Sequence, residues 1–248
     1  MSLNANSVLF VGFLLALVRS LAWVFTVTPF AMRAIPVQVK LGLSVALSLA
    51  EASHLSSASI PFDLPGLMMA SIIQAFIGFA LGLIVVVLFN SIRAAGGIID
   101  DFAGFNIAAM FDPMSDSTAA PFGRFYELCA VTLLFTTNLH LMLVKGFLRS
   151  FDAINGVHLH EVVSLLTHNL DTFMVSALEI AGPVLAVLFL TEVTLGLLAR
   201  TAPAMNVFAL GFSVRIAVAF AMVAGAIVLV VPAASSLIAT AVRETLSL

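Results

Sequence analysis

The stretch Leu64–Ile92, LPGLMMASIIQAFIGFALGLIVVVLFNSI, decides the fold, because its 29 residues between Asp63 and Arg93 contain no charge. A helix rises 1.5 Å per residue, so crossing a hydrocarbon layer of about 30 Å takes about 20 predominantly apolar residues. Inside lipid the backbone must satisfy its own hydrogen bonds, which a helix does within one segment. Ile216–Val242, charge-free for 27 residues between Arg215 and Arg243, reads the same way. Four weaker segments accompany these two. Leu128–Val144 is a 17-residue run at the short limit, Phe173–Leu198 contains Glu179 and Glu192, and Val8–Thr28 contains Arg19. Val37–Ala50, 14 residues with Lys40 near one end, suits a short, re-entrant or protein-buried helix. The expected fold is all-α: a polytopic helical membrane protein with about six hydrophobic helical segments.

Composition agrees across the 248 residues. Hydrophobic residues make up 62% and charged residues 9%, whereas soluble domains carry about 25% charge. Mean hydropathy is +1.18. A formal charge of -3 leaves no basic excess to neutralise a phosphate backbone, so nucleic acid is not an expected partner. The same balance excludes disorder. Cys129 is alone, so neither an internal disulfide nor a cysteine-based zinc site holds the fold. Met1–Ser7 carries no Lys or Arg, and the first apolar run is expected to be retained as a span rather than cleaved as a signal peptide. Ser at position 2 and a tail without Cys offer no lipidation signature.

Prolines punctuate the segments: Pro29 and Pro36 bracket the first connection, Pro61 and Pro65 precede the third helix, and Pro203 marks the last hairpin. The connections Arg93–Arg124 and Lys145–Thr172 are long for structureless loops and imply function or local helices. Solenoid-type repeats are not apparent. Arg33, Lys40, Arg93, Arg124 and Arg200 fall on the odd connections, and Lys145, Arg149 and Arg243 on the opposite side. This balance favours cytoplasmic odd loops and an outside N-terminus.

Charges inside apolar segments are functional hypotheses, which brings forward Arg19, Glu179, Glu192 and Arg215. If the last two helices turn near Thr201–Met205, Glu192 and Arg215 lie at matching depths, roughly 12 and 14 Å from the turn. A structural ion pair is the reading this favours over a proton relay. Glu179 and Glu192, 13 residues apart, are about 140° apart on the helical wheel and do not form a paired acid/base site. Arg19 either snorkels or pairs with another chain. Enzyme patterns fail: His160-Glu161 is followed by Ser164 where a zinc protease needs its second His. His158, His160 and His168 are expected to be loop residues, and no acidic motif completes Asp100-Asp101. Phosphate-binding glycine loops are absent, and no catalysis, metal or cofactor is expected. Gly78 and Gly82 form a GxxxG pair, serving either intrachain packing or an oligomer contact.

One segment stands apart: Arg93–Pro113, RAAGGIIDDFAGFNIAAMFDP. Gly96, Gly97 and Gly104 loosen the backbone, while Phe102, Phe105, Ile107, Met110 and Phe111 add bulky apolar groups among Asp100, Asp101 and Asp112. Either these side chains pack on other helices or they converge to obstruct a pore.

Together with Pro29–Leu47, PFAMRAIPVQVKLGLSVAL, and Thr191–Ile216, TEVTLGLLARTAPAMNVFALGFSVRI, this segment resembles the FliR-type subunits of the flagellar protein export gate and the SctT subunits of virulence type III secretion. Arg200-Thr201-Ala202-Pro203 followed by Met205-Asn206-Val207-Phe208 is the most specific element and leans toward the flagellar system. The resemblance implies a single export-gate domain over 1–248: a first helical part (1–92), a Gly- and Phe-rich plug loop (93–124) and a second helical part (125–248). It implies assembly with FliP- and FliQ-type subunits, association with FlhA- and FlhB-type components, and a place in the bacterial inner membrane at the flagellar basal body. Some nominal spans would be lifted out of the bilayer there. Phe102, Phe105, Met110 and Phe111 would close a conduit for unfolded substrates, with Glu192–Arg215 as a structural ion pair and Gly78 and Gly82 in helix packing. Energy would come from other components. Without the resemblance, a small secondary transporter is the alternative, although the two halves show no matching interrupted helices. An intramembrane enzyme ranks third.

Overall fold

The computed structural model describes residues 5–32, 34–56, 63–105, 120–151, 159–202 and 207–246, and among them every element is a helix. In chain order these are α1 (Ala5–Thr26), α2 (Thr28–Ala31), α3 (Val37–Ser56), α4 (Leu64–Ala103), α5 (Pro121–Thr136), α6 (Leu139–Arg149), α7 (Leu159–Thr201) and α8 (Val207–Leu246). Each of the six apolar segments falls on helix, as an all-α membrane protein requires.

The helix limits have local causes. The Asp63 carboxylate accepts the Gly66 amide at 3.2 Å, which caps α4 and leaves Pro65 inside the first turn rather than ahead of it. At its other end Gly104 adopts φ 91° and donates its amide to the carbonyls of Asp100 (3.1 Å) and Asp101 (3.2 Å). That left-handed conformation costs glycine little and closes the helix. The apolar run Leu128–Val144 is not one continuous span. It breaks between α5 and α6, where Asn138 takes φ 59°, a conformation asparagine tolerates better than most residues. Thr136, Thr137 and Asn138, a polar patch in the apolar run, were the signal.

Among the described residues, three helical stretches are long and apolar enough to cross a membrane unbroken: Ser7–Thr26, Leu64–Ala103 and Asn169–Thr201. Two broken pairs, Pro121–Thr136 with Leu139–Arg149 and Leu210–Ala226 with Val231–Leu237, bring the number to five if each pair crosses as one. The second pair bends by 58°, so Ile216–Val242 is likewise not a straight span; Pro232 lies within it and removes a backbone donor. α3 is a full helix of 20 residues but does not qualify, consistent with Lys40 and Glu51 near its two ends. The long connections also shrink: the 93–124 segment is helical from Arg93 to Ala103 and again from Pro121, and α7 already begins at Leu159. His160 and His168 therefore lie on a helix and not in a loop, while His158 is outside the described residues.

The chain divides into two compact units. The first comprises 1–88, 138–169 and 238–248, and in it α1 packs along α3. Trp23 stacks on Phe147 with centroids 4.4 Å apart, and Phe30 and Phe151 extend the aromatic core. Lys40 is buried yet satisfied: its Nζ donates to the last carbonyl of α2, Ala31, at 2.9 Å and sits over the Phe25 ring. The second unit comprises 89–137 and 170–237, with a core that includes Ile92, Ile99, Phe122, Tyr126, Leu134, Val184 and Leu188.

Candidate functional site

The residues singled out for function concentrate where α4 ends and α5 begins, on either side of 106–119. α5 starts with Pro121 at its first position, preceded by Ala120, whose side chain has no acceptor for the free amides of the first turn. α4 supplies one from 22 residues earlier. Asp100, 1% exposed, accepts the Phe122 amide on Oδ1 at 3.0 Å and the Gly123 amide on Oδ2 at 2.9 Å. These are the two amides a residue's own cap side chain would serve, and a carboxylate there also meets the positive end of the helix dipole.

Close backbone contact makes this geometry possible. A Cβ at Gly96 would lie 2.5 Å from the Phe122 carbonyl oxygen and 2.7 Å from the Gly123 Cα, so only glycine lets the two helices meet there. Gly97 faces open space. Beside the clamp, Phe105 meets Phe122 edge-on at 5.6 Å, and both meet Phe220 of α8, at 6.4 and 5.0 Å. On the next turn of α5, Glu127 accepts from Arg124 at 3.0 Å and has Arg93 at 3.9 Å. Both arginines are more than 60% exposed, so this pairing adds little stability by itself.

The proposed plug residues separate. Phe102 is 52% exposed, Phe105 is half-buried in the aromatic cluster, and Met110 and Phe111 lie outside the described residues. Gly96 serves close packing, where a loosened backbone was expected, and Gly104 ends a helix. Asp100 is a structural acceptor, and among the described residues no group of His, Cys, Asp and Glu has a metal-binding arrangement. Sequence reasoning missed the Asp100 clamp, the Gly96 contact, and Phe122 and Phe220. A proline helix start with no polar residue before it was the available signal that a cap had to come from elsewhere.

Glu192 and Arg215 do meet: Arg215 Nε lies 3.1 Å from Glu192 Oε2, bridging α7 and α8. The distance is that of an ion pair, while Nε lacks the alignment of a hydrogen bond. Gly78 and Gly82 face α1 within the first unit. A Cβ at Gly78 would sit 2.3 Å from the Arg19 carbonyl oxygen, and one at Gly82 2.7 Å from the Thr26 Cβ. The GxxxG pair is thus used inside the chain. Arg19 neither snorkels nor reaches outward; it is fully buried, donates Nη2 to the Ser150 carbonyl at 2.8 Å, and stacks 4.4 Å over the Phe151 ring.

Residues 10–241 match the profile of a family described as bacterial export proteins, family 1. Among similar proteins is the flagellar biosynthetic protein FliR of Bacillus subtilis (strain 168), 29% identical over 89% of this chain and 87% of its own length. The Escherichia coli (strain K12) protein of the same name is 31% identical over 87% of this chain and 84% of its own. The Yop proteins translocation protein T of Yersinia pestis is 26% identical over 59% of this chain and 58% of its own.

Proposed function

We infer that this chain, which belongs to the family of bacterial export proteins, family 1, is a membrane subunit of a flagellar type III protein export gate. The observation that carries this reading is the extent of the match, residues 10–241, together with flagellar relatives aligned over more than four-fifths of the chain. The flagellar relatives that are 29–31% identical over 81–89% of the chain exceed the Yop translocation protein, 26% identical over 59%, in both identity and extent, which supports the flagellar assignment.

The gate would be built with FliP- and FliQ-type subunits in the bacterial inner membrane at the flagellar basal body, alongside FlhA- and FlhB-type components. Unfolded export substrates would pass through it. An assembled subunit needs apolar surface for other helices and for lipid, and α7 alone exposes Leu170, Met174, Val175, Leu178, Phe189 and Leu190. A conduit for unfolded chains also needs a compliant apolar seal, which suits Phe and Met better than a ring of charges. Phe102, Phe105, Met110 and Phe111 are the residues we assign to that seal. The Asp100 clamp and the Phe105–Phe122–Phe220 cluster support this assignment, because they hold both ends of the segment together on firm helices. No reaction step is assigned to the chain.

Deleting the gene and restoring it on a plasmid tests the reading. Filament protein should vanish from the medium on deletion and return with the plasmid, and the tagged chain should co-purify with other small polytopic proteins. Normal export in the deletion strain, or solute transport by the purified chain alone in proteoliposomes, would favour a transporter.

A further inference from the structure

Glu179 is the intramembrane charge that the clamp and the ion pair leave unexplained. It lies ten residues into the stretch Asn169–Thr201, about 15 Å along a helix apolar enough to cross a membrane. It is exposed, and so are its neighbours Met174 (59%), Val175 (55%) and Leu178 (53%). A carboxylate on such a face cannot remain uncompensated in hydrocarbon. The second unit has four basic residues, and none serves it. Arg93 and Arg124 flank Glu127, Arg215 is on Glu192, and Arg200 is 21 residues along the same helix, roughly 30 Å away. Among the described residues Glu179 has no cationic partner.

A cleft opens beside this carboxylate. Ser176, Glu179, Ile180 and Pro183 of α7 form one wall, and Ala233, Ser236 and Leu237 of α8 form the other. Pro183 has no N–H, so the Glu179 carbonyl four residues earlier lacks the i+4 donor of a regular helix. We propose that this cleft receives a Lys or Arg side chain presented by a helix of another subunit, whose charged head pairs with Glu179. The proposal rests on the reading of the chain as one subunit of a multi-chain gate.

The chemistry favours this occupant over a metal cation. A hard divalent ion takes six to eight oxygens, roughly, whereas the residues lining the cleft include one carboxylate, that of Glu179, and two hydroxyls, those of Ser176 and Ser236. One of those hydroxyls, that of Ser236, already donates to the Ala233 carbonyl at 2.9 Å. Apolar walls of Ile180, Pro183, Ala233 and Leu237 match the methylene stem of a long cationic side chain, and the acidic end matches its head.

Three variants in the native operon test this: Glu179→Lys, Glu179→Gln and Glu179→Leu. The readouts are the amount of chain in the membrane, the yield and native mass of the detergent-extracted complex, and export. Glu179→Leu should reach the membrane at normal abundance yet give a complex reduced by about tenfold or more, which separates docking from folding. Glu179→Lys should lose the complex further, with Glu179→Gln between it and the native chain. Selection for export in the Glu179→Lys strain should yield substitutions of a basic residue by Asp or Glu in another subunit. Full complex yield in all three variants, or suppressors confined to this chain, would overturn the proposal. So would an intact complex in Glu179→Gln that has lost a sodium or pH dependence of export seen in the native chain, because that identifies an ion site. Failure of the gate reading itself gives a different result: the native chain extracts as a single protomer before any substitution is made.

Discussion

Replacing Asp100 with Ala removes the carboxylate that accepts the amides of Phe122 and Gly123, now held at 3.0 and 2.9 Å. Ala120 cannot substitute, and the site is closed to water at the carboxylate, which is 1% exposed. Losing a helix cap costs about 0.5–2 kcal/mol, and leaving a buried donor unpaired costs about 1–3 kcal/mol. For two donors served by one carboxylate, a loss of about 2–4 kcal/mol follows. At about 1.4 kcal/mol per factor of ten, that is a rise of roughly 30- to 1,000-fold in the population with this helix start open. Hydrogen exchange on the chain in nanodiscs, read by mass spectrometry over 120–126, measures this directly. The Phe122 and Gly123 amides should accelerate by that factor, whereas peptides from α1 and α3 should not change. Asp100→Asn keeps one acceptor oxygen and should fall between. Unchanged exchange at Phe122 and Gly123 in Asp100→Ala would refute the clamp.

Gly78→Ala places a methyl 2.3 Å from the Arg19 carbonyl oxygen and should destabilise the chain by about 1–3 kcal/mol, while Gly97→Ala meets nothing within 4 Å and should stabilise it by up to about 1 kcal/mol; denaturation in detergent gives both signs. Single substitutions Glu192→Arg and Arg215→Glu should each reduce assembly, and the exchange of both should restore it, with a coupling of about 1 kcal/mol given partial exposure; an exchange no better than the singles removes the pairing. Deleting 106–119, which spares the Asp100 clamp, should raise ion conductance of the assembled gate in planar bilayers, and unchanged conductance would take this segment out of the seal.

Much of this protein follows from one-dimensional facts. Whether a segment tolerates hydrocarbon depends on the charges within it, so Leu64–Ile92 announces a spanning helix without reference to any partner. Glu192 and Arg215 were also within reach, because two helices joined by a short turn place residues at equal distances from the turn side by side. Other features depend on what a side chain meets across the fold. Gly96 and Gly97 are adjacent and identical in sequence, yet one lies against the α5 backbone and the other faces open space. Hydropathy cannot show that Asp100 caps a helix starting at Pro121, since the carboxylate and its two amides are 22 and 23 residues apart. Arg19, a costly charge by composition, is accommodated by contacts far along the chain, among them the Ser150 carbonyl and the Phe151 ring, 131 and 132 positions later. Composition selected the solvent this chain folds in; tertiary packing chose which polar groups that solvent never sees.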